Sequence, residues 1–322
     1  MKRDGPIDGP LVSIVLPTYN EAETIVDVVD DVLDELDHVD TPRDGLEVIV
    51  VDDDSPDETW RVARESFYGD DRVRVIRRTD DRGLSSAVLR GFKEVRGPIC
   101  VCMDGDGQHP ADRLDDLIYQ IVLGADLVVG SRHVDGGEID GWPASRQLTS
   151  KVATLLARAF VAPAREITDP MSGFFAVDRE TFDDDVLEGA DPHGYKLLLE
   201  LATLAPDAEI REVPITFRAR QGGASKLTLD ERLRFLEHCL GLWFRAGFGD
   251  QVDPPLLVRS IEAGSIVAIA LVLLNVGLIV GDVDGAVGAA LIAAAGGTIV
   301  LGAQRLARTG DSWSSSTEVF AK

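Results

Sequence analysis

Apolar runs alternate with amphipathic stretches over the first part of this chain, and that alternation restricts the fold more than any other feature. The runs are Leu11–Pro17, Leu46–Asp52, Val73–Arg77, Pro98–Met103 and Asp126–Gly130. Between them lie Glu21–Leu36, Asp57–Phe67, Gly83–Val95 and Asp112–Leu123, whose apolar residues recur at helical spacing. Strands without polar alternation have to be covered on both faces. A β-α rhythm of this kind therefore predicts an α/β fold, a mainly parallel sheet with helices on each side. Ligands of such sheets bind at the carboxyl ends of the strands. Asp57 is the expected N-cap of the second helix.

Three of the predicted carboxyl ends carry polar motifs. The first strand runs into Pro17-Thr18-Tyr19-Asn20-Glu21, the second into Asp52-Asp53-Asp54-Ser55-Pro56-Asp57, and the fourth into Met103-Asp104-Gly105-Asp106-Gly107-Gln108-His109-Pro110. Alternation in an extended segment points Asp104 and Asp106 the same way. Gly105 and Gly107 let a phosphorylated ligand approach the backbone. Two same-facing carboxylates and the Gln108 amide oxygen form a hard oxygen site suited to Mg2+ or Mn2+. Such ions are commonly shared with substrate phosphates. The pattern points to an enzyme that handles a diphosphate.

Charge excludes one class of function. The formal net charge is -24 and the sequence pI is about 4.5. Lysine occurs only at positions 2, 93, 151, 196, 226 and 322, and no basic face or stripe is present, so nucleic-acid binding is not expected. Asp27, Asp30, Asp31, Asp34, Glu35 and Asp37 form a solvated face opposite the apolar stripe Ile25, Val28, Val29, Val32, Leu33 and Leu36. A chain built this way is similar to proteins of salt-rich cytoplasm, as in halophilic archaea, where screening over about 3 Å at 1 M salt removes the mutual repulsion of carboxylates. Cys100, Cys102 and Cys239 lie in apolar segments and read as reduced, buried thiols. Met1 to Pro10 is polar, so no signal peptide is expected.

After Ser131 the rhythm loosens. Helices are predicted at 151–160 and 196–204, and strands at 173–177 and 210–218. Leu229, Leu233, Leu236, Leu240 and Trp243 repeat at helical spacing beside Arg232, Arg234 and Arg245, which suits an interfacial helix. Ala263–Gly281 and Gly285–Gln304 contain no charged residue, and each approaches the roughly 20 residues needed to span a bilayer. Arg259 precedes the first stretch, and Arg305 and Arg308 follow the second, which predicts a hairpin with both ends cytoplasmic. The alternative is a buried helical pair of a soluble protein. The expected organisation is a tail (1–10), an α/β domain (11–228), a juxtamembrane amphipathic helix (229–255), two transmembrane helices (256–304) and a polar tail (305–322). The expected location is the cell membrane, multi-pass, with the α/β domain in the cytoplasm.

The three motifs, in this order, resemble the signatures of family-2 glycosyltransferases with the GT-A fold. Further segments are similar to its dolichol-phosphate mannose synthase branch: Gly130-Ser131-Arg132, Ser145-Arg146-Gln147-Leu148-Thr149-Ser150, Thr168-Asp169-Pro170-Met171-Ser172-Gly173-Phe174-Phe175, and Arg220-Gln221-Gly222-Gly223-Ala224-Ser225-Lys226-Leu227. The resemblance covers residues 11–228. It implies inverting transfer of a hexose, with mannose from GDP-mannose foremost, to a polyprenyl or dolichyl phosphate. A glucosyltransferase using UDP-glucose is the nearest alternative, and a membrane-tethered nucleotide-sugar-binding scaffold is the alternative without turnover.

The resemblance also implies roles. Pro17, Tyr19, Glu21 and Asp53 line the nucleotide pocket, although Tyr19 and Glu21 also suit ordinary turn and helix-dipole chemistry. Asp52 or Asp53 accepts from base or ribose, while one of the adjacent aspartates caps. Asp104, with Gly105 beside it, contacts ribose and metal, and Asp106 and Gln108 are direct metal ligands. Arg132, Arg146, Arg220 and Lys226 hold the phosphate groups, joined by Ser225. Asp169 orients the sugar, contacts the acceptor, or shapes the Asp169-Pro170 turn, and Lys196 is a further basic contact. His109 sits beside the metal motif, where Pro110 and the turn also account for it as structural, and His38, His133, His193 and His238 have no ligand spacing. No Gln-x-x-Arg-Trp element follows Asp169, so polymer synthesis is not expected.

Overall fold

The computed structural model describes residues 12–218 except 38–44, 143, 162 and 195, together with Phe235, His238, Cys239, Gly241 and Leu242. Side chains of helical residues 36, 37, 144–146, 148, 149, 152 and 159 are also outside the description. The terminal tails, the two stretches expected to span a membrane (256–304), and Arg220, Ser225 and Lys226 lie outside the described residues, as does all of the segment 229–255 but the five positions just named. Among the described residues no helix is long and apolar enough to cross a membrane. The chain forms two compact units, Met1–Lys226 and Leu227–Lys322, and the site lies in the first.

Along the chain run β1 (Val12–Thr18), α1 (Ile25–Asp37), β2 (Leu46–Asp52), α2 (Thr59–Ser66), β3 (Val73–Arg77), α3 (Leu84–Glu94), β4 (Ile99–Cys102), α4 (Leu114–Val122) and β5 (Leu127–Ser131). There follow β6 (Glu138–Ile139), α5 (Ala144–Phe160), β7 (Phe175–Asp178), α6 (Asp184–Glu188), α7 (Leu197–Leu204), β8 (Ile210–Pro214) and β9 (Thr216–Phe217). Seven strands form one sheet in the order β3-β2-β1-β4-β7-β5-β8, and β6 pairs with β9 in a second. β1, β2, β3 and β4 are mutually parallel neighbours, as are β5 and β8. β7 runs antiparallel between β4 and β5. The expected mainly parallel sheet is therefore present with one reversed strand.

That reversal positions the site. The amino end of β7 stands where its neighbours end, with Phe175 opposite both Cys102 and Val129. The segment Asp169–Phe174 therefore arrives beside the motif that follows β4. β2 lies on one side of β1 and β4 on the other, which makes the crevice above β1 and β4 a topological switch point.

Alternate strand residues feed two core layers. Ile14, Leu16, Val48 and Val50 pack with Ile25, Val29, Leu114 and Leu117 on one side. Val15, Ile49, Val51, Cys100 and Cys102 pack with Phe92, Phe182 and Leu198 on the other. Each such fully buried aliphatic or aromatic side chain contributes about 1.5–3 kcal/mol. α3 approaches the sheet closely at Gly91, where a Cβ would fall 2.3 Å from Val15 Cγ1. The acidic face of α1 is exposed at Asp27, Asp30, Asp31 and Asp34, while Ile25, Val28, Val29, Val32 and Leu33 are buried, as expected. All three cysteines are free and buried.

Several boundaries differ from the sequence-based ones. α1 begins at Ile25 rather than Glu21, because residues 21 and 22 donate their N–H groups to Thr59 Oγ1 (2.9 Å) and Asp57 Oδ2 (3.0 Å). Asp57 is not the N-cap of α2. That position is Glu58, at φ 61° with no side-chain cap, while Asp57 Oδ1 accepts from the N–H (3.1 Å) and hydroxyl (2.6 Å) of Thr59. α5 starts at Ala144 rather than Lys151, since its polar first turns carry little apolar periodicity. The single strand expected over 210–218 breaks at Ile215 into β8 and β9, which serve different sheets. α6 is five residues long, too short for a periodic signal, and is capped by Asp183, which accepts from Val186 N–H at 2.9 Å.

Candidate active site

At the ends of β1 and β2 the adjacent aspartates have separate tasks. Asp52 is fully buried and accepts from Thr18 Oγ1 (3.0 Å), Ser55 N–H (2.9 Å) and Ser55 Oγ (2.6 Å), so it ties the two strand ends together. Asp53 faces the crevice wall. Its Oδ2 accepts from Gly83 N–H (2.7 Å), and its Oδ1 lies 3.2 Å from Arg78 Nη1. Burial raises the Asp53 pKa above the ordinary aspartate value, against the opposing effects of Gly83 and Arg78. Asp54, at φ 54°, pairs with Arg77 and Arg82. Of the three, Asp53 is the one bonded neither into the β1–β2 tie nor to the surface arginines. Pro17 is buried, Tyr19 stands at the rim 42% exposed, and Glu21 is half-buried beside Thr24.

Arg78 was not anticipated. It is 8% exposed, donates to Ser86 Oγ (2.8 Å) and the Asp81 carbonyl, and faces Asp53. Its only sequence signal is a second arginine just past the end of β3.

The motif after β4 leaves the strand after Cys102 and turns over Gly105–Gly107, with Gly107 at φ 71°, so the strand alternation expected to aim Asp104 and Asp106 alike does not run through it. Gly105 N–H donates to the Pro17 carbonyl (3.4 Å), which joins the turn to β1. Gln108 N–H donates to Asp106 Oδ1 (3.1 Å), so the turn orients its own carboxylate. The buried Gln108 side chain donates through Nε2 to the Arg218 carbonyl (2.9 Å), and Arg218 N–H returns a bond to the Gln108 carbonyl (2.9 Å). This clamp commits the nitrogen of the amide, and a cation would take the oxygen. Among the described residues no group of three His, Cys, Asp or Glu side chains could hold a metal. The residues nevertheless fit a shared cation: two carboxylates and an amide oxygen supply part of an oxygen shell that a diphosphate would complete.

Asp104 lies against Gly173, where an added Cβ would fall 2.4 Å from its Oδ2. A side chain at position 173 would push the carboxylate out of this position. Burial alone would raise the Asp104 pKa, but the hydrogen bond from His109 and the positive charges of Lys196 and Arg132 outweigh it and hold the carboxyl below its ordinary value.

On the other side of the crevice, Arg132 and Asp169 form a buried bidentate pair. Asp169 Oδ2 accepts from Arg132 Nε (2.6 Å) and backbone N–H (3.1 Å), and Oδ1 accepts from Nη2 (2.7 Å). The Arg132 guanidinium carbon lies 5.4 Å from the Trp142 ring centre and 5.2 Å from that of Phe217. Burial would raise the Asp169 pKa, but Arg132 brings it below the ordinary value. Glu212 supports the pair by accepting from Thr168 N–H (2.8 Å), Thr168 Oγ1 (2.8 Å) and Asp169 N–H (3.1 Å). Lys196 lies close enough to Asp104, Arg132 and Asp169 for their charges to act on it. Burial lowers its pKa, and the two carboxylates partly offset that.

The fold thus gathers Asp104, Arg132, Asp169 and Lys196 from the ends of different elements, with Asp106 and Gln108 on the adjoining turn. Arg146 lies within α5, but its side chain is outside the described residues. Sequence reasoning missed Arg78, Glu212, Trp142 and Phe217. The sequence places His109 beside the cation motif without giving it a contact, and in the structure its Nε2 lies 3.4 Å from Asp104 Oδ2.

Comparison with known proteins identifies the family. The sequence pattern of "Glycosyl transferase family 2" matches residues 13–185. The chain is 42% identical over 247 residues to a dolichol-phosphate mannosyltransferase of Pyrococcus furiosus, covering 75% of this chain and 66% of that protein. It is 37% identical over 221 residues to a polyprenol monophosphomannose synthase of Mycolicibacterium smegmatis, covering 67% of this chain and 80% of that one. Among solved structures, a mannosyltransferase of Pyrobaculum calidifontis in complex with GDP-Man and Mn2+ shares the fold at 23% identity and a TM-score of 0.53, covering 97% of this chain and 84% of that one. A glucosyl-3-phosphoglycerate synthase of Mycobacterium tuberculosis, with Mn2+, UDP-glucose and glycerol 3-phosphate, matches at 25% identity and a TM-score of 0.54, covering 76% and 82%.

Proposed function

The chain belongs to glycosyl transferase family 2, and from that premise we propose that it transfers mannose from GDP-mannose to a polyprenyl phosphate with inversion at the anomeric carbon. The observation that carries this reading is the division of the crevice. A carboxylate-lined half stands at the ends of β1, β2 and β4, and a half bearing Arg132 and Lys196 stands beside it. The relatives named for mannosyl transfer to dolichol or polyprenol phosphate supply the sugar and the acceptor class.

Asp53 accepts from the donor's base or ribose, with Arg78 fixing its carboxylate, and Tyr19 covers the rim. Asp104, Asp106 and Gln108 would hold a divalent ion, which when bound supplies Lewis-acid neutralisation of the leaving diphosphate. The acceptor phosphate is already an anion at neutral pH, so the site needs no strong general base. Asp169 fits that requirement: tied to Arg132 with its pKa held low, it is a poor proton acceptor and an effective anchor for a guanidinium. Arg132 and Lys196 supply the positive field that lets two anions meet, by charge-assisted bonding in a partly dry site. The family resemblance implies further phosphate contacts from the charges of Arg146, Arg220 and Lys226 and from the Ser225 hydroxyl.

The two uncharged stretches within 256–304, with arginines at their outer ends, hold the domain at the cytoplasmic face of the cell membrane, where a lipid-borne phosphate is presented. The dense carboxylate surface suits a salt-rich cytoplasm.

The test is an incubation of membranes containing the protein with labelled GDP-mannose or labelled UDP-glucose, followed by extraction of the lipid fraction. Label should enter lipid from GDP-mannose and stop with a chelator. Label from UDP-glucose alone would reassign the donor, and transfer undiminished in chelator would remove the metal from the reading. Carbonate extraction should leave the full chain in the membrane pellet.

A further inference from the structure

His109 is 5% exposed and sits in an aromatic slot. Its ring centre is 5.3 Å from that of Phe174, from the segment preceding β7, and 5.0 Å edge-on from that of Phe217 in β9. Its Nε2 lies 3.4 Å from Asp104 Oδ2, and its buried Nδ1 has no hydrogen-bond partner. An ionised carboxylate only accepts, so the contact places the proton on Nε2. A buried imidazole with one nitrogen unpaired is costly for a residue that merely fills a core, where a phenyl or leucyl side chain would satisfy the slot without penalty. Gly173 bounds the Asp104 carboxylate on a second side. With the slot fixing the ring and Gly173 admitting the carboxylate, the orientation of Asp104 is determined.

We infer that His109 is a positioning residue for the proposed cation site: its Nε2–H holds the Asp104 carboxylate in the orientation that receives the ion and the donor. The inference rests on the metal reading of Asp104, Asp106 and Gln108 given above. Phe217 extends its reach. The same ring packs 5.5 Å edge-on against Trp142 and 5.2 Å from the Arg132 guanidinium, so one aromatic row supports both the His109–Asp104 contact and the Arg132–Asp169 pair.

Side-chain reach separates positioning from packing. The amide nitrogen of glutamine can occupy the place of His Nε2, that of asparagine reaches only as far as Nδ1, and leucine donates nothing. All three lose the aromatic stacking. The experiment titrates Mn2+ into the full-length protein in the presence of GDP, following free manganese by its paramagnetic resonance, for wild type, His109→Gln, His109→Asn and His109→Leu, with thermal unfolding measured alongside. The expected result is that asparagine and leucine weaken Mn2+ binding by about 10- to 100-fold, the usual cost of losing a partner of a metal ligand, while glutamine stays within about threefold of wild type. KM for the donor should follow the same order, and the unfolding temperature should not. Equal weakening in all three variants, or in none, overturns the inference and leaves the metal reading intact. If leucine does not fold, the contrast between glutamine and asparagine decides alone. Wild-type protein that binds no Mn2+ overturns the metal reading and this inference with it.

Discussion

The sheet carries a buried cluster of charge at each end, and the two are built on opposite plans. At the amino end, Glu47 is fully enclosed and fully bonded. It accepts from Ser13 Oγ (2.7 Å), Arg96 N–H (2.6 Å) and Arg96 Nε (2.9 Å), and pairs with Arg74 at 3.3 Å. Ser13 Oγ in turn accepts from Gly97 N–H (2.9 Å). No buried polar atom of these residues lacks a partner. At the carboxyl end, polar capacity is left unspent. Asp53 Oδ1 and Arg78 Nη1 face each other without hydrogen-bond geometry, and His109 Nδ1 and His133 Nε2 have no hydrogen-bond partner. Glu47 joins β2 to the loop before β4 and has nothing further to do. Asp53 and Arg78 stay ion-paired at 3.2 Å, and the remaining hydrogen-bonding capacity of these groups is not used by the described residues. A saturated buried cluster reads as architecture, and an unsaturated one reads as a site.

The sharpest test of the contrast is Asp106→Asn. Asparagine keeps an oxygen that accepts from Gln108 N–H, so unfolding free energy should change by less than about 1 kcal/mol. Transfer should fall by at least about 100-fold, the scale of losing one electrostatic stabiliser of a developing charge. Urea unfolding and the lipid-label assay on the same preparation check both halves. Loss of stability in proportion to activity would make this end architectural as well.

The converse variant is Glu47→Gln. It should lower stability by about 1–3 kcal/mol, because the arginines keep their charge and lose its partner, while activity per folded molecule stays at the wild-type level. Burial would raise the Glu47 pKa, but the bonds from Ser13 and Arg96 hold it below the ordinary glutamate value. A depressed folded pKa contributes stability that is complete above the unfolded value of about 4.3 and is lost as pH falls through the folded one. The gap between wild type and variant should therefore be constant at neutral pH and close only in the acid range below about 4.3. A gap that closed on raising the pH instead would mean that Glu47 is protonated in the native protein.

The same contrast explains what was legible in the sequence. Strands β1 to β5 and the helices between them could be read because each is specified by its own periodicity. The Asp104, Asp106 and Gln108 turn could be read because its residues are neighbours in sequence. Arg132 and Asp169 were each singled out, but not as a pair, because 37 residues separate them and the reversed β7 brings them together. His109 lies five residues from Asp104, yet its role depends on Phe174 and Phe217, which local sequence does not link to it. β6 and β9 have two residues each and owe their existence to one another, so no periodic signal precedes them. Glu212, in β8, is polar by composition and indispensable only by position, as the acceptor that holds the backbone of Thr168 and Asp169.

The smallest effect belongs to a third population of charge, the exposed carboxylates of α1, which belong to neither cluster. Partial burial and the neighbours Asp34, Asp27 and Asp31 raise the Asp30 pKa. A raised acid pKa marks a charged form that the folded state disfavours. That cost is present above the folded pKa and disappears as pH falls through it. Asp30→Asn should therefore stabilise the protein at neutral pH and low salt, by only about 0.3 kcal/mol, since the group is largely exposed and solvent screens it. At 1 M salt the Debye length contracts to about 3 Å and the part of the difference owed to Asp34, Asp27 and Asp31 should vanish. Thermal unfolding of wild type and variant across a salt series gives the answer. A gain undiminished in high salt would mean that repulsion contributes nothing and the Asp30 penalty comes from its own burial alone, and would move this face from solvated surface to the edge of a covered one.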